Sequence, residues 1–243
     1  VFMNSYQQLG VSLGKQLDWM TQFMKGLAPA YFVAVSAASG AVTASVFYQG
    51  VLLLVWLVEW ILLTLILPGA NLYVLLCLVN HLSKEDMLSK MAELLETLIS
   101  WSLKTILGAV LGLQAVRSLV APAMDSIRRT AIGRTAGAIP AVGNAVNAVT
   151  ELILAGALLV KNCLGAVAVI VLFLVGAGPV IHYGLLSLSY RFLSAAAQPV
   201  SDKRIVGCLS TMGEGCAMLL RIMLTAEILC VLIFVVLMAS VGG

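Results

Sequence analysis

The chain predicts an all-α fold: a polytopic integral membrane protein with about six or seven transmembrane helices, plus interfacial amphipathic helices. Of its 243 residues, 61% are hydrophobic and only 10% charged, and the mean hydropathy is +1.06. A soluble domain carries about 25% charged residues. Several apolar runs reach the roughly 20 residues that a helix needs to cross hydrocarbon. Charges gather in short stretches between those runs. The net charge of +3 is too small and too scattered to make a nucleic-acid surface. Five cysteines (Cys77, Cys163, Cys208, Cys216 and Cys230) form no CxxC pair and no zinc-ligand spacing with His81 or His182. They read as small buried hydrophobes, with no metal and no cofactor expected.

Residues 1–25 place Leu9, Leu13, Leu17 and Met20 at helical spacing beside Gln7, Gln8, Lys15 and Asp18, an amphipathic helix for the bilayer surface or a neighbouring helix. Residues 26–82 are transmembrane helices, with Glu59 the one formal charge after Lys25 and before Lys84. A first span over 28–48 is rich in small residues, which let helix backbones approach closely. The next begins at Val51 and has thirteen Val, Leu and Ile residues by Leu67. They contribute roughly 4 to 8 kcal/mol toward insertion, enough to carry Glu59. Pro68-Gly69 then either kinks one long span, giving six crossings, or turns a hairpin, giving seven.

Residues 83–102 start with Ser83 as a helix cap, Asp86 three residues on, and line Met87, Met91, Leu94, Leu95 and Leu98 along one face, an interfacial helix. Residues 103–243 are the main transmembrane domain. Its first span, 103–120, holds Gly108-x-x-x-Gly112. The loop 122–139 carries Arg128, Arg129 and Arg134. Spans over 140–162 and 163–183 follow, the second broken at Gly176-Ala-Gly178-Pro179. Ser201 is expected to cap a helix out of the loop 198–204, and the last span runs from Met218 to Val241. By the positive-inside rule, 122–139 and the Arg191–Arg204 region both lie in the cytoplasm, and two crossings between them leave Lys161 on the far side.

The segment 140–162 is membrane-length yet polar along one side. Pro140 suits a first helical turn, and Asn144, Asn147 and Glu151 follow on one face. Nine Val, Leu and Ile residues between 141 and 160 supply about 3 to 5 kcal/mol, against one glutamate and two asparagines. The sum is near zero, so this stripe needs protein or water against it. Interhelical hydrogen bonds within a bundle or oligomer are one use; lining an aqueous conduit is the other. The remaining intramembrane charges are Glu59, Arg117, Lys161, Arg221 and Glu227. Arg221 and Glu227 lie on nearly opposite faces and should find different partners; Arg117 and Lys161 are candidate partners for Glu227. Ser201, Asp202, Lys203 and Arg204 form either a solvated helix start or a docking loop for a cytoplasmic motor. No Ser/His, paired-Asp or HExxH constellation lies on a span, so no enzyme is expected.

At IPAVGN (Ile139–Asn144), LLVKNCLG (Leu158–Gly165) and QPVSDKRIVGCL (Gln198–Leu209), the chain resembles the stage III sporulation protein AE family. The resemblance implies a multi-pass protein of the mother-cell membrane around the forespore. It further implies a permease-like or export-gate subunit of a channel complex, with a secretion-type ATPase and ring-forming proteins of the same sporulation operon as partners. Small-residue helices and the polar stripe suit a homo-oligomer embedded in membrane lipid. The alternatives from other classes are an ion-coupled secondary transporter and a purely structural membrane scaffold.

Overall fold

The computed structural model describes the backbone of residues 2–39, 41–83, 88–135 and 143–239. Their side chains are described too, except at 31, 34–39, 41–48, 51, 114, 116–135, 143–154, 157–158, 161 and 236–239. Six α-helices follow in order: α1 Phe2–Ser39, α2 Ala41–Ile61, α3 Leu67–Leu82, α4 Ser89–Thr135, α5 Gly143–Ala197 and α6 Lys203–Ala239. A π-helical turn, Leu62–Ile66, joins α2 to α3. Among the described residues, four stretches are long and apolar enough to cross a membrane: Leu52–Leu82, Ser89–Leu113, Asn162–Ala197 and Lys203–Val235. The six or seven crossings expected from sequence are not confirmed. The two further ones, at 28–48 and 140–162, fall largely on side chains outside the described residues.

Three expected boundaries move. Pro68 makes no hairpin, because the π turn lies just ahead of it. A proline ring clashes with the carbonyl four residues back, and a widened turn takes up that conflict. Leu67 donates to the carbonyl of Leu62, five residues back, and α3 continues with Pro68 in its first turn. The interfacial 83–102 helix and the 103–120 span are one helix, α4. Ser83 does not open it: its N–H closes the end of α3 on Val79 O at 2.9 Å. Likewise Lys161-Asn162 does not separate two spans, and Gly176-Ala-Gly178-Pro179 does not break one: neither Lys161 nor Asn162 is a helix breaker, and α5 runs from Gly143 to Ala197 with Pro179 inside it.

The core is centred on α6, which packs on each of the other five α-helices. Its spanning stretch is 56% buried, against 17 to 33% for the other three, so α6 is the inner helix. Around it α1 contributes Tyr6, Leu13, Leu17, Met20 and Met24, and α3 contributes Ala70, Tyr73, Val74 and Leu78. These α1 positions recur every three or four residues, one stripe of a helix, and here the stripe lies on protein. Large apolar side chains elsewhere face outward, among them Trp56 and Trp60 of α2 and Phe173 and Phe192 of α5. An exposed apolar band of this kind suits lipid as its solvent.

Candidate functional site

Glycines on α6 let other helices bring polar side chains onto its backbone. Gly213 is met by Arg191, and Gly215 by Tyr6 and Val74. The hydroxyl of Ser187 donates to Gly213 O at 2.8 Å, and the Tyr6 hydroxyl donates to Gly215 O at 3.3 Å. Between these glycines Glu214 is exposed, and the Tyr73 hydroxyl donates to its Oε2 at 3.4 Å. About two turns before, His81 packs on Gly207. On the neighbouring helices the Tyr183 hydroxyl donates to Leu9 O at 3.1 Å, and Asn71 packs on Gly10. These groups tie α1, α3 and α5 to α6 at one level of the bundle. The sequence reading passes over this belt because it starts the last span at Met218, leaving Glu214 outside. An acid flanked by two glycines in an apolar run was the signal.

The intramembrane charges fall into three situations. Glu59 of α2 pairs with Lys25 of α1, Nζ to Oε2 at 2.5 Å, with the glutamate side chain 17% exposed and the lysine 39%. Beside this pair a cavity of about 20 Å³ is walled by Thr21, Met24, Val58, Ala226 and Cys230, room for a single water. Arg221 is exposed, whereas Glu227 is buried against Gly176 of α5, with no hydrogen-bond partner for either oxygen among the described residues. Asn144, Asn147, Glu151, Arg117 and Lys161 lie on helical backbone, and their side chains are outside the described residues.

At 198–204 the cap is Asp202, not Ser201. Asp202 Oδ1 accepts from the Arg204 N–H at 3.2 Å, and its carbonyl accepts from Ile205 and Val206. Ser201 instead belongs to the end of α5, where its N–H donates to Ala197 O at 2.8 Å. The reason is local: α6 begins at Lys203, so Asp202 is the residue just before its first turn, and a cap there bonds the N–H two residues on. Lys203 and Arg204 are exposed on its first turn. All five cysteines are free thiols, and among the described residues no group of three His, Cys, Asp or Glu side chains could hold a metal.

No solved structure matches the chain. Among curated proteins, the stage III sporulation protein AE of Bacillus subtilis is 26% identical over 199 residues, which is 82% of this chain and 50% of the relative. The chain thus spans about half the length of the curated relative it matches. The family model described as stage III sporulation protein AE matches residues 1–242, covering the three motifs in the second half and the first 25 residues alike. On that match, the chain belongs to the stage III sporulation protein AE family.

Proposed function

We propose that this chain is a permease-like or export-gate membrane subunit of a sporulation channel or secretion complex linking mother cell and forespore. It acts without enzymatic chemistry, as a homo-oligomer in the mother-cell membrane, with the 140–162 segment near the conduit. Its other partners are a secretion-type ATPase and ring-forming proteins. Family membership supports the setting. The observation that carries the conduit's position is the filled interior: around α6 the side chains of Tyr6, Leu13, Met212, Leu219 and Ile222 are fully buried, and the cavity farther along α6, at Ala226 and Cys230, is about 20 Å³. This packing among the described residues favours a path for solutes between copies of the chain. The stripe of Asn144, Asn147 and Glu151 is the polar surface available for it, on a helix whose aliphatics only just balance its polar groups.

Reconstitution of the purified protein in lipid tests this reading. A large, poorly selective conductance is expected, reduced by Asn147→Leu combined with Glu151→Gln, with spore yield falling in parallel. Saturable, ion-coupled uptake of one solute would replace it by the transporter reading, which Glu227, buried against α5 near Pro179, favours. Full spore yield with both substitutions would remove the stripe from the mechanism and leave a scaffold.

A further inference from the structure

Glu227 is the buried acid for which the belt and the ion pair give no use. The residue is 8% exposed and sits in the middle of an apolar stretch of α6, between Ala226 and Ile228. Its carboxyl lies on α5 at Gly176, and a Cβ there would collide with both oxygens and the carboxyl carbon. Gly176 is therefore the seat of this group, and a side chain there would displace the carboxyl. Three residues on, Pro179 stands inside α5. It has no N–H to give to the carbonyl four residues back, that of Val175, which is bonded directly to the nitrogen of Gly176. The seat thus adjoins a turn inside α5 whose backbone has a spare acceptor.

Among the described side chains, the surroundings offer no counter-charge. On α6 itself Cys230 is one turn on, while Arg221 is exposed on another face. From α1 and α2 the nearest charges, Lys25 and Glu59, are paired with each other. On α5 the nearest titratable groups are His182, which is exposed, and Tyr183, whose hydroxyl is bonded to Leu9 O. From α3, Tyr73 meets α6 at Glu214, more than three turns away, and Lys104 of α4 is exposed. An ionised carboxylate left in such a wall is disfavoured, whereas a carboxylic acid is a neutral group of ordinary polarity. A metal ion needs several oxygen ligands at once, and the described side chains bring none to these oxygens.

We propose that Glu227 and the Gly176 seat form a proton-binding site. The carboxyl rests against α5 as the neutral acid; when it releases its proton to water, the carboxylate leaves the seat and loosens the α5–α6 packing beside Pro179. The site rests on the packing of two helices within one chain, so it stands whether or not the conduit lies between copies.

The test uses the full chain in lipid vesicles and dicyclohexylcarbodiimide, an apolar reagent whose N=C bond adds a protonated carboxyl to leave an acylurea. Peptide mass spectrometry should find Glu227 modified, with the yield falling about tenfold for each pH unit beyond the midpoint, as for one titrating proton. Glu227→Gln should abolish the adduct while keeping the melting temperature, since the neutral amide keeps the shape. Gly176→Ala should change the pH range of modification. Absence of the adduct at every pH, or a yield that ignores pH, overturns the proposal. If the variants fail to fold, infrared spectra of the native protein decide: a buried carboxylic acid C=O band must fade as pH rises, and its absence at low pH also overturns the site.

Discussion

Gly215 is the position where the bundle can give least. A Cβ there would stand 2.7 Å from Tyr6 Cε2 and 2.7 Å from Val74 Cγ2, and both neighbours are fully buried, so neither can swing aside. Gly215→Ala should therefore cost about 1 to 3 kcal/mol, as overpacked cores do, read as a lower melting temperature in detergent. The opposite holds at Gly108 and Gly112, which meet nothing within 4 Å. There alanine lowers the conformational entropy of the unfolded chain without a clash, so each change should leave stability equal or raise it by up to about 1 kcal/mol. The small-xxx-small spacing thus serves no contact among this chain's own described residues. Across α1 and α2, Lys25 and Glu59 should show a coupling of about 1 kcal/mol in a double-mutant cycle, because the lysine is part-exposed and screened. The exchanged pair, Lys25→Glu with Glu59→Lys, should recover what either single change loses.

At the scale of the element, the buried positions of α2 and α3 recur at Val58, Leu62, Ile66, Ala70, Val74 and Leu78. Steps of four residues overshoot a helix of 3.6 residues per turn by about 40° each, so a straight helix would carry this stripe off the core within a few turns. The π turn absorbs one residue and returns about 100°. Deleting Leu65, which is exposed within that turn, together with Pro68→Ala, should therefore give a regular helix that keeps Val58 and Val74 inward and melts near the native temperature. Deleting Leu75 in regular α3 should rotate everything beyond it and prevent folding. This stripe also shows what can be read from sequence. Hydropathy exposes the apolar runs, and Pro68 announces a disturbance, but the choice between kink and hairpin lies in the four-residue period, which only burial reveals. Glu59, Arg221 and Glu227 can be picked out as charges in apolar runs. Their partners cannot, because Lys25 and Gly176 become neighbours only through packing between helices distant in sequence. Ser83 likewise looks like a helix start, since a serine with an acid three residues later fits both ends of a connection equally well.

At the scale of the molecule, the decisive feature is the length of α5. Its 55 residues extend about 80 Å at 1.5 Å each, while the hydrocarbon layer is about 30 Å thick. The basic segment expected as the loop 122–139 precedes this helix, though it is helical in α4 as far as Thr135, and the segment 198–204 follows it. A helix that does not reverse can cross once, through its apolar stretch Asn162–Ala197, so the two loops must lie on opposite sides of the membrane. The charge pattern read alone places both in the cytoplasm, with two crossings between them. Five basic residues between 114 and 161 (Arg117, Arg128, Arg129, Arg134 and Lys161) outnumber the three of the Arg191–Arg204 region, so with one crossing the positive-inside rule assigns 114–161 to the cytoplasm. Single cysteines at Ser126 and Ser201, placed in a chain whose own five are changed to serine or alanine, separate the two topologies. With a membrane-impermeant maleimide on intact cells, Ser201→Cys should react from outside and Ser126→Cys only after the membrane is opened. Labelling of both positions from the same side would mean that α5 reverses between them, and Asn144, Asn147 and Glu151 would then return to the interior of the bilayer. With the expected result, those three side chains stand on the cytoplasmic extension of α5, where water already satisfies them and where a conduit would have its mouth.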